Sequence, residues 1–289
     1  MLKKTFPFYW SIVKQTGTEF MANNPTRLAA SLSYYTLFSL APMLLTVIAL
    51  AGFFFGREAV EGQIYGQING LIGGPAAKQV QDLLKNTQQS GESVWAAVLG
   101  FVTLLIGATG TFAEMQDAIN LIWGLKQKPG NGILQYFITR ILSFSLVVSL
   151  GFLLVVSLAA NALLNIFSER AALLFSDATY YLFWILNVVV VWGVIALLFT
   201  VIFKVLPNCR IALKDAFVGA GFTSVLFMVG KYGIELYLGQ SNIGSAYGAA
   251  GSVVIILVWV YYSSLILFFG AAFTKVYANK VGQGIRPNP

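Results

Sequence analysis

The chain has 289 residues, of which 57 % are hydrophobic and only 10 % are charged, and its mean hydropathy is +0.76. Soluble domains carry about 25 % charged residues, so this composition excludes an ordinary water-soluble domain. A single cysteine, Cys209, excludes an intrachain disulfide framework, and the lack of histidine removes the commonest metal ligand and general base.

Long stretches without charge indicate membrane spans. They lie between Arg27 and Arg57, Glu92 and Glu114, Arg140 and Glu169, Asp177 and Lys204, and Glu235 and Lys275. A helix crosses the hydrocarbon core with about 20 mainly apolar residues, and each stretch provides them. A sixth, weaker span covers residues 216–238. The sequence therefore predicts an all-α integral membrane protein with six transmembrane helices in one domain, residues 1–289.

The distribution of basic residues predicts the orientation of these spans. We place the spans at about residues 28–56, 94–113, 138–166, 179–203, 213–238 and 249–275. With the N-terminus inside, most of the 18 Lys and Arg residues lie on the inner side, as the positive-inside rule requires. Both termini are then cytoplasmic, and the net charge of +7 faces anionic membrane lipids. Nucleic-acid binding is not needed to explain the charge.

Residues before the first span predict an interfacial helix. Lys3 and Lys4 precede an apolar run, but no cleavage site of a signal peptide follows. Apolar and charged residues alternate at helical spacing over residues 3–22, which predicts an amphipathic helix on the cytoplasmic leaflet. Asn24 is the expected N-cap of the next helix, and Pro25 is its expected first residue.

The largest segment between spans covers residues 57–92. Its polar and apolar residues alternate around Gly73-Gly74-Pro75. This pattern predicts two short amphipathic helices that form a periplasmic cap. A packed connector without a functional role is the alternative.

Polar residues recur along one face of the first span. The residues at this spacing are Arg27, Ser31, Tyr35, Ser39, Pro42 and Thr46. They could line a substrate path with the arginine at its cytoplasmic mouth, and Asn161 and Asn165 of the third span could line the same cavity. The alternative is that small polar residues pack helices together, as they commonly do in membranes.

Ionisable residues near the spans are candidates for ion pairs. Glu114 and Asp117 lie one helical turn apart and extend a small-residue face of the second span. We expect them to point inward and to pair with inside cations such as Arg140; solvation beyond the headgroups is the alternative. Lys231 and Glu235 lie at i and i+4 in the fifth span and can pair directly, as a functional pair or as a partly wet structural one.

Catalytic motifs are missing from the sequence. It contains no HExxH, no phosphate-binding Walker loop, no GxSxG and no carboxylate cluster with metal-ligand spacing. We therefore expect no enzyme, no cofactor and no metal.

Three motifs resemble the YihY/BrkB family of bacterial inner-membrane proteins. They are residues 28–42 (LAASLSYYTLFSLAP), residues 120–124 (NLIWG), and residues 247–252 (YGAAGS) continuing to 269–273 (FGAAF). The resemblance implies a six-helix protein of the bacterial inner membrane. This chain has Ala272 where the family pattern usually has an acid, so any role of that carboxylate is absent here.

The resemblance does not define a function. Members of the family have been described as virulence factors and as transporters, and an old label makes them ribonuclease BN. The lack of histidine and of a metal-binding carboxylate cluster argues against the ribonuclease label. The leading hypothesis is a transporter or flippase for an amphipathic, anionic envelope lipid or glycolipid. The alternative is a non-transporting membrane scaffold or envelope-integrity factor. The substrate, the driving force and the oligomeric partner cannot be read from the sequence.

Overall fold

The computed structural model describes residues 2–55, 77–78, 81, 110–125, 178–240, 247 and 250–287. In these ranges the chain forms long helices and one two-stranded sheet. The elements are α1 (Leu2–Ala22), α2 (Pro25–Phe55), α3 (residues 110–122), α4 (Ala178–Val205), β1 (Cys209–Arg210), α5 (Leu213–Gln240), α6 (Gly251–Lys280) and β2 (Arg286–Pro287). Residues 77–78 and 81 are also helical.

Three helices in the described ranges are long and apolar enough to cross a membrane. Their apolar segments are Val188–Val205 in α4, Leu213–Leu238 in α5 and Val253–Lys280 in α6. The mostly helical membrane architecture agrees with the sequence, whereas the short β1–β2 sheet departs from the predicted all-α fold. The number of six spans stays a prediction, since 138–166 and most of 94–113 lie outside the described residues. The two predicted cap helices also lie outside them, except for residues 77–78 and 81.

A sharp corner joins α1 to α2. Asn24 has a φ of +50°, in the left-handed region that asparagine tolerates better than most residues. Its carbonyl accepts the first backbone hydrogen bonds of α2, from Arg27 at 3.1 Å and Leu28 at 3.3 Å. The Asn23 side chain donates to the Glu19 carbonyl at 2.6 Å and so satisfies the end of α1. Because of this corner, α1 turns back and packs mainly against α6.

The helix α6 lies at the centre of the described bundle. It packs against α1, α2 and α5, and α4 packs against α5. The main core joins α2, α3, α4, α5 and α6, and its fully buried members include Ala29, Ile119, Phe203, Ala220 and Phe268. This arrangement brings one end of each of these helices together.

Two glycine–threonine pairs hold α5 and α6 close to each other. A side chain at Gly219 of α5 would overlap Thr274 of α6, and a side chain at Gly270 of α6 would overlap Thr223 of α5. Each threonine hydroxyl donates back to the glycine carbonyl of its own helix at 2.7 Å. The hydroxyls are therefore satisfied inside an apolar contact, and small residues let the two backbones approach.

Candidate functional site: the basic end of the bundle

Several helix ends meet at one end of the bundle, which we call the basic end. It comprises α1, the start of α2, the end of α3, the segment from the end of α4 to the start of α5, and the end of α6 with the tail to residue 287. Exposed cations at these positions are Lys14, Arg27, Lys204, Arg210, Lys214, Lys280 and Arg286. This clustering is consistent with the inner side of the predicted topology.

The end of α3 is closed by a glycine cap. Gly124 has a φ of +70°, and its N–H donates to the Leu121 carbonyl at 3.0 Å. The N–H of Leu125 donates to the Asn120 carbonyl at 2.9 Å. These two bonds form a Schellman motif, which needs a left-handed residue after the helix. The cap explains why residues 120–124 end in glycine.

The capped end of α3 is bonded to α6. The indole Nε1 of Trp123 donates to the Ala271 carbonyl at 2.9 Å. One turn further along α6, the Lys275 ammonium donates to the Ile122 carbonyl at 2.9 Å. Lys275 also donates to the Glu19 carboxylate of α1 at 2.7 Å. Lys275 therefore joins three helices, and its charge is already neutralised within the fold.

The segment between α4 and α5 is held by amide side chains of α3. The Gln116 side chain donates to the Leu206 carbonyl at 2.6 Å and to Asn208 Oδ1 at 3.1 Å. Asn120 Oδ1 accepts the Asn208 backbone N–H at 3.0 Å. Both amides are buried, so their bonds keep this polar loop attached to an apolar core.

The chain's tail docks on the same segment. Strand β2 pairs antiparallel with β1, so that Arg286 lies opposite Arg210 and Pro287 lies opposite Cys209. The buried carboxylate of Asp215, in the first turn of α5, accepts the Gln283 backbone N–H at 2.9 Å. A side chain at Gly282 would overlap that carboxylate. The tail is therefore a fitted part of the basic end.

Cys209 is a protonated thiol in this loop. Burial raises the pKa of Cys209 from 9.0 to about 11, and the nearby Lys204 ammonium opposes the shift. Lys204 itself donates to the Ile211 carbonyl. A thiol with a raised pKa is a poor nucleophile at neutral pH. We therefore expect Cys209 to be unreactive in this environment.

The predicted polar line on the first span does not stay on one side of α2. Arg27 and Tyr35 are exposed, Ser31 is half-buried, and Ser39 is buried with its hydroxyl 2.9 Å from Thr111 of α3. A spacing of four residues drifts by about 40° per step around a helix, which turns Ser39 into the helix contact. The side chains of Pro42 and Thr46 lie outside the described residues, although α2 continues through both positions.

A different set of residues shares the exposed side of α2. Tyr34 and Phe38 follow Arg27 by seven and eleven residues, and these spacings fall within about 20° of one line along a helix. All three side chains are exposed, and the rings of Tyr34 and Phe38 lie 5.0 Å apart. Tyr35 flanks them, with its ring 5.9 Å from that of Tyr34. We call Arg27, Tyr34, Tyr35 and Phe38 the α2 stripe.

The remaining candidates are the predicted ion-pair residues and the two asparagines of the third span. Glu114 is half-buried and Asp117 is exposed on α3. Lys231 lies 5.8 Å over the ring of Tyr232. Arg140, Asn161 and Asn165 lie outside the described residues. Pairing of Glu114 and Asp117 with inside cations, and of Lys231 with Glu235, stays a prediction.

The bonds that build the basic end come from residues that the sequence analysis did not select as site candidates, although Asn120 and Trp123 belong to the family motif at residues 120–124. They are Glu19, Gln116, Asn120, Trp123, Asn208, Asp215 and Lys275. Three of them are buried at helical spacing, Gln116 and Asn120 in α3 and Trp123 directly after its last residue. Polar residues within an otherwise apolar helix face are the sequence signal that could have identified them. In the part of the chain that the structure describes, no three His, Cys, Asp or Glu residues are grouped to hold a metal.

Comparison with known proteins gives the chain a family. Residues 16–289 match the family described as "Virulence factor BrkB". The chain is 25 % identical over 277 residues to a UPF0761 membrane protein of Saccharophagus degradans, covering 95 % of this chain and 62 % of the relative. It is 27 % identical over 272 residues to a UPF0761 membrane protein of Alteromonas mediterranea, covering 90 % and 87 %.

Further relatives are also named UPF0761 membrane proteins. A UPF0761 membrane protein of Pseudomonas aeruginosa is 29 % identical over 255 residues, covering 87 % of this chain and 59 % of the relative. The chain thus spans only part of several relatives, for example 62 % of the length of the Saccharophagus protein. No solved structure matches it. Since the family match covers residues 16–289, the chain belongs to the BrkB family of bacterial membrane proteins.

Proposed function

We propose that this protein is a transporter or flippase-like protein of the bacterial inner membrane that handles an amphipathic, anionic envelope lipid. The observation that carries the proposal is the α2 stripe. Its cation, Arg27, lies at the basic end, and exposed aromatic rings follow it along the same helix. An anionic lipid has the matching order, a charged headgroup followed by apolar chains.

The chemistry of each part of the stripe supports this substrate class. The guanidinium of Arg27 donates two hydrogen bonds in a planar fork that fits a phosphate. Among the described residues, no side chain pairs with it, so it is available to a headgroup. Tyr34 and Phe38 offer apolar surface with little rotamer freedom, along which an acyl chain can lie.

Reconstituted vesicles test the proposal. Purified protein is inserted into vesicles that contain a fluorescent phosphatidylglycerol, and movement between leaflets is followed with an impermeant quencher under a proton gradient of either sign. We expect Arg27→Ala to slow movement by about 10- to 100-fold, because a hydrogen-bonded charge contributes roughly 1.5–3 kcal/mol, and Arg27→Lys to retain part of the rate. Lys14→Ala, which removes an exposed cation of the basic end from α1, is the matched control and should keep the rate. A wild-type protein that moves no lipid in either gradient contradicts the proposal.

A non-transporting scaffold is the second candidate, and two contacts favour it. Ser39 bonds to Thr111 between α2 and α3, and the glycine–threonine pairs lock α5 against α6. In both places small polar residues serve helix packing. A scaffold predicts no lipid movement at all, together with loss of envelope integrity when these contacts are broken.

Catalysis is not part of the proposal. We infer no ribonuclease activity, because the sequence contains neither histidine, the commonest general base, nor a carboxylate cluster with the spacing of metal ligands. Incubation of purified protein with labelled RNA, with and without divalent cations, tests this. RNA cleavage that requires the protein would contradict this inference.

A further inference from the structure

The two-stranded sheet of the basic end places two arginines directly against each other. Arg210 of β1 and Arg286 of β2 are cross-strand partners. Directly opposed side chains in an antiparallel pair have Cβ atoms about 4.5–5.5 Å apart on the same face of the sheet. Both side chains are exposed. A like-charged pair in this position destabilises the sheet unless something lies between the charges.

Strand alternation fixes which way this pair faces. Successive side chains of a strand point to opposite faces. Cys209 is buried at 6 % exposure, so its neighbour Arg210 points outward, and the register directs Arg286 to the same outer face. The outer face of the sheet therefore carries both guanidinium groups.

Two acids of this end, Glu19 and Asp215, are bonded to groups other than these arginines. Glu19 is bonded to Lys275, and Asp215 is buried and accepts the Gln283 N–H. Among the described residues, no carboxylate pairs with Arg210 or Arg286. The tail that carries Arg286 is nevertheless held in place by the Asp215 bond and by a bond from Ile285 N to the Asn279 side chain at 3.4 Å. The fold thus holds two like charges together rather than letting them separate.

We propose that Arg210 and Arg286 form a binding site for a phosphate group, clasped between the two guanidinium groups across the sheet. Two oxygens of a phosphate accept parallel hydrogen bonds from one arginine, and an anion between two cations adds attractions that outweigh the repulsion between them. The phosphate is either that of a lipid headgroup at the membrane surface or one free in solution. The site is separate from the α2 stripe and does not depend on lipid transport.

Thermal unfolding of the full chain in nanodiscs of phosphatidylcholine, with chloride as the only added anion, is the starting measurement. Added inorganic phosphate should raise the melting temperature of the wild type, because a ligand of the folded state stabilises it. Arg210→Gln with Arg286→Gln should lose this response, and a double change to Lys should weaken apparent binding by about tenfold, because lysine lacks the planar fork. Lys14→Gln removes one exposed charge from the same end and should keep the response.

A second arm distinguishes the source of the phosphate. In phosphatidylglycerol nanodiscs the wild type should melt higher than in phosphatidylcholine. If added phosphate then has no further effect, the headgroup fills the site; if it still stabilises, the ligand is a soluble phosphate. Both results support the site.

Single variants cover the case in which the double variant does not fold. In phosphatidylcholine with chloride, Arg286→Gln relieves the repulsion and should melt at or above the wild type; a clearly lower melting temperature would show that Arg286 is structural. The proposal is also overturned if phosphate and phosphatidylglycerol leave the wild type unchanged, or if they stabilise Arg286→Gln as much as the wild type. Failure of the transport assay leaves these measurements intact, so the two proposals fail independently.

Discussion

Lys275 Nζ lies 2.7 Å from the Glu19 carboxylate and so ties α1 to α6 across 256 residues of sequence. Phe20 reinforces the contact, since its ring meets that of Phe269 edge to face at 5.3 Å. On the same helix, Ile12 and Thr16 are fully buried, whereas Trp10, Val13 and Met21 are exposed. One face of α1 is thus fixed on the bundle, and the other is free to contact the membrane surface.

The first prediction concerns this ion pair. Glu19→Gln keeps the shape of the side chain but removes its charge, and we expect the free energy of unfolding to fall by about 0.5–2 kcal/mol. Thermal unfolding in detergent measures the change, and protease sensitivity of α1 locates it. Lys14→Gln, an exposed charge on the same helix, is the control. An unchanged melting temperature and an unchanged cleavage rate would show that apolar contacts alone hold α1.

The second prediction concerns the glycines between α5 and α6. Gly270→Ala introduces a methyl group that overlaps Thr223, and we expect a loss of about 1–3 kcal/mol from overpacking. Gly233→Ala in α5 is the matched control, because nothing lies within 4 Å of a side chain there. It should be neutral or stabilising, since alanine favours helix. Thr223→Ala should restore part of the stability of Gly270→Ala; the absence of such coupling would contradict the contact.

The third prediction concerns the cap of α3. Gly124→Ala forces a side chain into the left-handed region and should cost about 1–2 kcal/mol, whereas Gly124→Asn should cost less. Nothing lies within 4 Å of a side chain at Gly124, so the effect is one of backbone conformation and not of space. Melting temperatures of both variants test it. Equal losses for alanine and asparagine would argue against the conformational explanation.

The fourth prediction is the pH dependence caused by Cys209. Its pKa is about 11 in the folded protein against 9.0 for the unperturbed thiol. Between these values the unfolded chain has lost the proton that the folded chain keeps, so stability falls as pH rises from 9.0 to about 11. Below 9.0 the thiol is protonated in both states and the contribution is fully present.

Cys209→Ser isolates this effect, because serine does not titrate in that range. We expect the melting temperature of the wild type to fall more steeply than that of Cys209→Ser above pH 9.0. Alkylation of the folded wild type at neutral pH should also be slow. Parallel melting curves for the two proteins would show that the thiol is not held in its protonated form.

The fifth prediction concerns topology. In a Cys209→Ser background, single cysteines replace Gln88 in the predicted periplasmic segment and Val281 at the basic end. An impermeant maleimide should label Gln88→Cys in intact cells, and Val281→Cys only after the membrane is opened. Labelling of Val281→Cys in intact cells would contradict the predicted orientation, because it would place the basic end outside the cytoplasm.

The sequence predicted local features better than distant contacts. Charge-free stretches and helical periodicity depend on neighbouring residues, so they indicated membrane helices and a helix before the Asn24–Pro25 corner. The bond from Trp123 to Ala271 joins residues 148 positions apart, and no local pattern specifies such a partner. A spacing of four residues predicted that Arg27 and Ser39 share one side of the helix. The helix rotates further than that spacing allows, so Ser39 contacts Thr111 instead. The opposed arginines depend on strand register, which two-residue strands do not reveal in sequence.

The position of α6 limits how this bundle can move. Its last turns are bonded to α1 through Lys275 and to α3 through Ala271, and its tail is bonded to α5 through Gln283. A hinge within this region would have to break several bonds at once. We therefore expect the basic end to move as one unit, so that a pull on the end of α6 is passed directly to α1, α3 and α5.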